Sequence, residues 1–186
     1  MNAQTISIIR GLLLRQQPGQ PLAVVLKAGV GGLLAIGAVA WLSHVTGNPL
    51  LMAPFGATCV LLFSVPNSPL SQPANVIGGH LVSTAIGLLL HMFLPVEWWS
   101  LGLAVGLTIA AMAVLRVTHP PAGADPLVVF FDNPGWGYLG FPVAFGSVAL
   151  ILIAWLFHHL PPRVGYPTLA QHMASNTAGV KHHGNN

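Results

Sequence analysis

The sequence predicts an all-α integral membrane protein, because its composition is apolar and its apolar stretches are long. Of 186 residues, 54% are apolar and only 5% are charged, with six Lys or Arg against three Asp or Glu. An ordinary soluble domain carries about 25% charged residues. The mean hydropathy is +0.73. This composition excludes a soluble enzyme, a disordered chain and a nucleic-acid-binding protein, which needs a basic patch.

The apolar stretches divide the chain into three parts. We expect an N-terminal cytoplasmic segment at residues 1–21, a single transmembrane domain at residues 22–160 and a polar C-terminal tail at residues 161–186. About 20 mostly apolar residues cross a bilayer as a helix. Four stretches have about this length: residues 22–45, 76–94, 98–115 and 139–160.

Two further apolar segments, residues 54–65 and 121–131, are too short to cross the membrane easily. As helices they would extend about 16–18 Å, roughly half the bilayer. They therefore predict re-entrant half-helices, whose backbone must be covered by protein or must line a water-filled cavity.

These two short segments are copies of one motif. Residues 54–63 and 121–130 both consist of Pro-any-Gly-Ala, two variable positions, three aliphatic residues and Phe, and the second copy begins 67 residues after the first. We therefore predict two tandem repeats, at about residues 22–94 and 95–160, each made of a span, a half-helix and a span. The same offset pairs Gly79 with Gly146 and His91 with His158.

Lys and Arg residues flank the first and last spans, which predicts a multi-pass protein of the plasma (inner) membrane with both termini in the cytoplasm. This parity fits four spans with two re-entrant half-helices, in which the repeats run parallel. It fits equally well six crossings with inverted repeats. Six crossings would also place Arg116 in the cytoplasm, whereas the shortness of residues 121–131 favours re-entry.

The half-helix starts are the predicted binding site. A helix N-terminus carries unpaired N–H groups and about half a positive elementary charge, so two of them near the middle of the membrane form an anion site. Gly and Ala leave those N–H groups open to a ligand. Alternatively, Gly and Ala serve only close helix packing. The predicted substrate-binding residues of the two starts are Gly56, Ala57, Thr58, Pro121, Gly123 and Ala124.

Arg116 and Asp125 are charged residues far from both chain ends. A charge left alone in lipid costs roughly 2.5–3.5 kcal/mol or more, so such residues face a pathway or each other. One interpretation is an ion pair between Arg116 and Asp125 that is purely structural. In the other, Arg116 donates to a small anion and Asp125 orients the guanidinium.

His119 immediately precedes the second half-helix. Imidazole changes charge between about pH 5 and 8, so His119 is predicted to donate to the anion or to carry a proton. His80 and Asn75, near the start of the span at residues 76–94, complete the predicted site. The alternative for a membrane histidine is a hydrogen bond that serves packing alone.

Small residues recur every four positions at Gly79, Ser83 and Gly87, and again at Gly102 and Gly106. Such faces allow close contact between helices in a membrane. They predict a compact bundle or a homo-oligomer, with a dimer favoured.

No catalytic chemistry is expected. The single cysteine, Cys59, forms no disulfide within the chain and provides no metal site of the usual spacing. His182 and His183 in the tail are interpreted as surface residues. We expect no cofactor, no bound metal and no enzymatic activity.

Three motifs in order resemble the HPP family of small integral membrane proteins: residues 54–57, residues 68–80 and residues 118–124, which contain His119-Pro120-Pro121. The resemblance covers about residues 22–160. It implies a transmembrane domain usually described as four spans and a role in transport, and some plant and cyanobacterial members are associated with nitrite transport.

The sequence therefore predicts a transporter or channel in the lipid bilayer for a small inorganic anion such as nitrite. A neutral-solute channel is one alternative, because opposed half-helices also conduct uncharged molecules. A membrane scaffold or sensor that transports nothing is another.

Overall fold

The computed structural model describes residue 11, residues 14–15 and residues 17–168. Most of the predicted N-terminal segment, and the tail beyond residue 168 with His182 and His183, lie outside the described residues. Within the described part the chain forms six α-helices and no strand. The helices are α1 Leu22–Thr46, α2 Ala53–Ser64, α3 Pro73–His91, α4 Trp98–Val114, α5 Asp125–Asp132 and α6 Phe145–His158.

Three helical stretches are long and apolar enough to cross a membrane: Leu22–Thr46, Pro73–His91 and Trp136–His158. The last of these includes short helical turns at Trp136–Leu139 and Gly140–Ala144, with Phe141 extended, before α6 begins. The third predicted span, at residues 98–115, is observed as α4, which has 17 residues and extends about 26 Å. It is therefore slightly shorter than a full bilayer core.

The second short segment differs from the predicted helix at residues 121–131. Pro120–Ala124 forms a 3₁₀ turn, and the α-helix begins only at Asp125. The reason is local, because Pro126 has no N–H to give the carbonyl of Ala122 in an α-helical bond. Ala122 O instead accepts from the Asp125 N–H and from the hydroxyl of Ser83 on α3.

Contacts in the first half give the direction of its helices. Gly31 of α1 packs against the Phe63 ring near the end of α2, so α2 runs back toward the end of the bundle where α1 begins. The ammonium of Lys27 lies at that same end and donates to the carbonyl oxygens of Leu160 and Pro162, 2.6 Å each. Helix α6 therefore ends where α1 begins.

In the second half, α5 runs parallel to α3. Asp125 at the start of α5 contacts His80, and Phe130 near its end packs on His91, with ring centroids 4.8 Å apart. Helix α4 runs antiparallel to α3, so that Val117 just after α4 packs against Gly78 near the start of α3. The chain after α4 then turns and runs parallel to α3.

Charge separates the two ends of the bundle. The end where α1 begins is here called the basic end. It holds the three Lys and Arg residues of residues 17–168, which are Lys27, Arg116 and Arg163. Glu97 and Asp132 lie at the opposite end, here called the acidic end. The assignment follows from the helix directions above.

Equivalent contacts recur at the 67-residue offset. A Cβ added to Gly79 would lie 3.1 Å from the Val117 carbonyl oxygen, and a Cβ added to Gly146 would lie 3.5 Å from the Leu50 carbonyl oxygen. His91 packs on Phe130, and His158 packs in the same way on Phe63. Each half therefore holds the short helix of the other half.

The segment after α6 folds back over the basic end. The buried hydroxyl of Tyr166 donates to the Ser71 carbonyl oxygen at 3.0 Å, and the Thr168 N–H donates to Gln72 Oε1 at 2.9 Å. Burial raises the pKa of the Tyr166 phenol. The start of the predicted polar tail is thus packed against the bundle.

Candidate functional site

A groove of about 890 Å³ lies between the two short segments. Ala57 lines it from α2, and Pro121 and Ala124 line it from the 3₁₀ turn, so three of the predicted substrate-binding residues face this space. The groove continues along α2 to Leu61 and along α5 to Asp132. Because α2 runs toward the basic end and α5 toward the acidic end, the groove extends toward both ends of the bundle.

The groove is mainly apolar. Tyr138 and Asp132, toward the acidic end, are its ionisable lining residues. Val60 and Phe131 at its rim are 61% and 67% exposed in the single chain. The groove is therefore open along one side of the bundle.

Behind the groove lies a fully buried polar cluster, here called the Thr58 cluster: Thr58, His80, His119, Asp125 and Thr84. Thr58 Oγ1 lies 2.9 Å from His80 Nε2, 3.0 Å from His119 Nε2 and 3.2 Å from the Pro54 carbonyl oxygen. One hydroxyl thus joins α2, α3 and the segment before the 3₁₀ turn. Ala57 and Ala124 line the groove, and the residue after each belongs to the cluster.

Asp125 is paired with a histidine. Its Oδ2 lies 2.8 Å from His80 Nδ1 and accepts from the Thr84 hydroxyl at 3.3 Å. Its Oδ1 has no hydrogen-bond partner among the described residues. A buried carboxyl group needs a partner of this kind, because an unpaired charge in an apolar interior is very costly.

His119 is fixed by the backbone before α3. Its Nδ1 lies 2.8 Å from the Leu70 carbonyl oxygen. Asn75 supports the same segment, because its side-chain amide donates to the Thr118 carbonyl oxygen at 2.9 Å. Asn75 thus holds the extended residues that lead to His119. Asn75 itself does not line the groove.

Glycines on α3 allow the second segment to come this close. A Cβ on Gly79 would lie 2.6 Å from His119 Cβ, and a Cβ on Gly87 would lie 2.9 Å from Pro126 Cα. Real Cβ atoms essentially never approach so near. The predicted small face of α3 is therefore a contact surface within the chain.

The expected contact between Arg116 and Asp125 is not formed. Arg116 is exposed at the turn after α4, with a left-handed backbone φ of 59°. The carboxyl group instead pairs with His80, from which it is separated by 45 residues in the sequence. The five-residue 3₁₀ turn carries Asp125 up along α3 and away from the basic end, where Arg116 remains.

The other predicted residues are less central. Gly123 is half-buried and lines neither the groove between the short segments nor a second, smaller groove. Gly56 faces this second groove of about 460 Å³, together with Gln17, Gln20 and Cys59. A Cβ added to Gly102 or Gly106, the second small face, would meet no residue of another element within 4 Å among the described residues.

Sequence reasoning missed Thr84 and Tyr138. Thr84 lies one helical turn after His80 and so shares its face of α3, which is a signal that could have found it. Nothing local marks Tyr138 as a groove residue. Within residues 17–168, no group of three or more His, Cys, Asp or Glu side chains is placed to hold a metal ion.

Comparisons with known proteins support a membrane role. The family model of the HPP transmembrane region matches residues 17–167. One transmembrane protein of Dictyostelium discoideum is 34% identical over 125 residues, which cover 63% of this chain and 40% of the relative. A second from the same organism is 30% identical over 126 residues, covering 63% and 44%. The chain thus spans less than half of either relative. No solved structure matches it.

Proposed function

The chain belongs to the HPP family of transmembrane proteins, and from this premise we propose that it is a transporter or channel for a small inorganic anion, with nitrite as the first candidate. The observation that carries the proposal is the groove of about 890 Å³ between the two short segments. It passes the start of both segments and follows them toward opposite ends of the bundle. A permeating ion needs such a continuous path.

Electrostatics favour an anion at the centre of this path. Helix starts carry partial positive charge that is strongest in a low-dielectric surrounding. Ala53 and Ala124, at the starts of α2 and α5, leave little side chain between those starts and the groove. Asp125 would repel an anion if it were free, but its carboxyl group is paired with His80 and shielded from the groove.

The direction of the helices favours six passages with inverted repeats over four spans with re-entrant half-helices. Helix α2 with the extended residues before it leads from the acidic end to the basic end, and residues 115–132 lead back. Arg116 shares the basic end with Lys27 and Arg163, which the positive-inside rule places in the cytoplasm. Both termini would then be cytoplasmic, in the plasma membrane.

Arg116 would act at the mouth of the path instead of at its centre. An exposed guanidinium at the cytoplasmic end raises the local concentration of anions. The predicted homo-oligomer would cover the open side of the groove and the small face at Gly102 and Gly106. The dimer remains a prediction from the sequence.

The test is ion flux in liposomes that contain the purified protein. Uptake of ¹⁵N-labelled nitrite is measured against protein-free liposomes, because nitrous acid crosses lipid unaided. We expect protein-dependent uptake that unlabelled nitrite or nitrate competes for, and no uptake of sodium. The absence of protein-dependent flux of any small anion would contradict the proposal and favour the scaffold or sensor.

The apolar lining of the groove favours one second candidate, a channel for neutral solutes. The same liposomes distinguish it by light scattering after an osmotic step with urea or glycerol. Swelling that depends on the protein, together with no nitrite uptake, would identify a neutral-solute channel.

A further inference from the structure

We propose that His80 and Asp125 together bind one exchangeable proton and that this proton accompanies the transported anion. The first half of the proposal stands on the geometry of the Thr58 cluster alone. The second half rests on the proposed anion transport.

The hydrogens of the cluster can be counted from their partners. His119 Nδ1 faces the Leu70 carbonyl oxygen at 2.8 Å. A carbonyl oxygen only accepts, so this Nδ1 carries a hydrogen, and a neutral His119 presents a bare Nε2 to Thr58 Oγ1. The one hydroxyl hydrogen of Thr58 has two acceptors in reach, His119 Nε2 at 3.0 Å and the Pro54 carbonyl oxygen at 3.2 Å.

His80 Nε2 lies 2.9 Å from the same oxygen. The single hydroxyl hydrogen cannot serve both imidazoles, so one of the two Nε2 atoms must carry a hydrogen of its own. We assign that hydrogen to His80, because its ring also faces a carboxyl group. A hydrogen must also lie between His80 Nδ1 and Asp125 Oδ2, which are 2.8 Å apart. The pair thus holds two hydrogens, either as imidazolium and carboxylate or as imidazole and carboxylic acid.

Both of these forms have no net charge, which suits a fully buried site. Removing one hydrogen would leave a net negative charge and two bare nitrogens facing one hydroxyl. Placing the extra hydrogen on His119 would create an imidazolium without a carboxylate partner. The pair of His80 and Asp125 is therefore where the proton is bound.

Few other ionisable groups face this pair. His119 lies 5.0 Å from His80 between ring centroids, and Tyr138, near the start of the last span, lines the groove together with Ala124. Helix α4 contributes no ionisable side chain within Trp98–Val114, and Cys59 of α2 lines the second groove. Asp125 directly follows Ala124, which lines the groove. The proton on the pair of His80 and Asp125 is therefore bound next to the groove.

An anion in the groove, at the starts of the two short segments, would lie close to a proton bound by His80 and Asp125. Because the two charges are opposite, binding of the anion and binding of the proton favour each other. Binding and release of the anion together with the proton would move no net charge across the membrane. Loss of the proton would place a negative charge behind the groove and expel the anion. The proposal is thus an electroneutral symport of one proton with one anion.

The proton site is tested on the wild-type protein by ¹⁵N NMR of its histidines in lipid. The signal of His80 is assigned by its loss in His80→Gln and its retention in His44→Gln, an exposed histidine. We expect Nε2 of His80 to carry a hydrogen at neutral pH and to lose it in one step as the pH is raised. A bare Nε2 at neutral pH, or a hydrogen that never leaves before the protein unfolds, would overturn the proton site.

Coupling is tested in liposomes with Asp125→Asn and His80→Gln, each first shown to be folded by size-exclusion chromatography. In Asp125→Asn, which leaves no carboxylate behind the groove, we expect nitrite uptake driven by a pH gradient to fall about tenfold, while exchange of labelled for unlabelled nitrite without a gradient is retained. In His80→Gln, which leaves the Asp125 carboxyl group without its partner, we expect both driven uptake and exchange to fall. Glu97→Gln, an exposed carboxyl control, should behave as wild type. Driven uptake within about twofold of wild type in both variants, or equal loss of driven uptake and exchange in Asp125→Asn, would overturn coupling. If the wild type moves no anion, the proposed function fails and the NMR titration still decides the proton site.

Discussion

Thr58 Oγ1 lies 3.0 Å from His119 Nε2, and this contact joins the two short segments at the centre of the bundle. Both side chains are fully buried. The same hydroxyl also contacts His80 on α3. The Thr58 hydroxyl therefore helps to fix the relative position of the two segments that border the groove.

Thr58→Val should destabilise the protein by about 1–3 kcal/mol, because it leaves buried polar groups without a partner at nearly constant shape. Thr46→Val at the exposed end of α1 is the matched control and should have little effect. Thermal unfolding in detergent measures both. Equal midpoints for the two variants would contradict the structural role of the Thr58 hydroxyl.

Gly79→Ala should cost about 1–3 kcal/mol, because the new Cβ would lie 2.6 Å from His119 Cβ, and an overfilled contact must move backbone. Gly102→Ala, on an open helix face, should be neutral or stabilising, since Ala favours helix over Gly by about 1 kcal/mol. The difference between their unfolding midpoints is the measurement. A Gly79→Ala protein as stable as Gly102→Ala would show that the segment does not pack on α3 in this way.

Labelling of single cysteines decides the number of passages. With Cys59 replaced by Ala, Asn67→Cys should react with a membrane-impermeant maleimide only from the cytoplasmic side. Glu97→Cys should react in intact cells. Labelling of Asn67→Cys from outside the cell, and of Glu97→Cys only from the cytoplasmic side, would support four spans with re-entrant half-helices.

Tyr166→Phe should loosen the segment after α6, because the Ser71 carbonyl oxygen loses its buried donor at 3.0 Å. The wild type should show an alkaline transition of its own. Since burial raises the pKa of Tyr166, its contribution to stability is complete below the ordinary pKa of 10.0 and is lost as the pH rises through the raised value. Proteolysis of this segment at increasing pH measures both effects. An alkaline transition that Tyr166→Phe retains unchanged would contradict the assignment to this phenol.

Much of the fold follows from hydrophobic length and from proline. The predicted span at residues 22–45 is observed as Leu22–Thr46, and the short element at residues 54–65 as Ala53–Ser64. Pro54 and Pro73 mark helix starts because the first turn needs no N–H from them. The 3₁₀ turn before Asp125 was missed, since its cause is a second proline, Pro126, inside the expected helix.

The membership of the buried cluster was predicted in part. Thr58, His80, His119 and Asp125 were all selected from the sequence, and they lie together in one buried cluster. Their partners were not predictable, because sequence spacing does not reveal that α3 packs against the short segment of the other half. For that reason Asp125 was expected to meet Arg116, nine residues away, when it in fact meets His80.

The central claim is that a small anion moves along the groove between α2 and α5, and blocking that groove tests it most directly. Ala57→Trp and Ala124→Trp fill the groove, and Ala113→Trp on the exposed face of α4 is the matched control. Protein-dependent nitrite uptake in liposomes should fall to the protein-free rate in the two groove variants and stay at the wild-type rate in the control, with all three proteins folded. Undiminished uptake in both folded groove variants would contradict the claim.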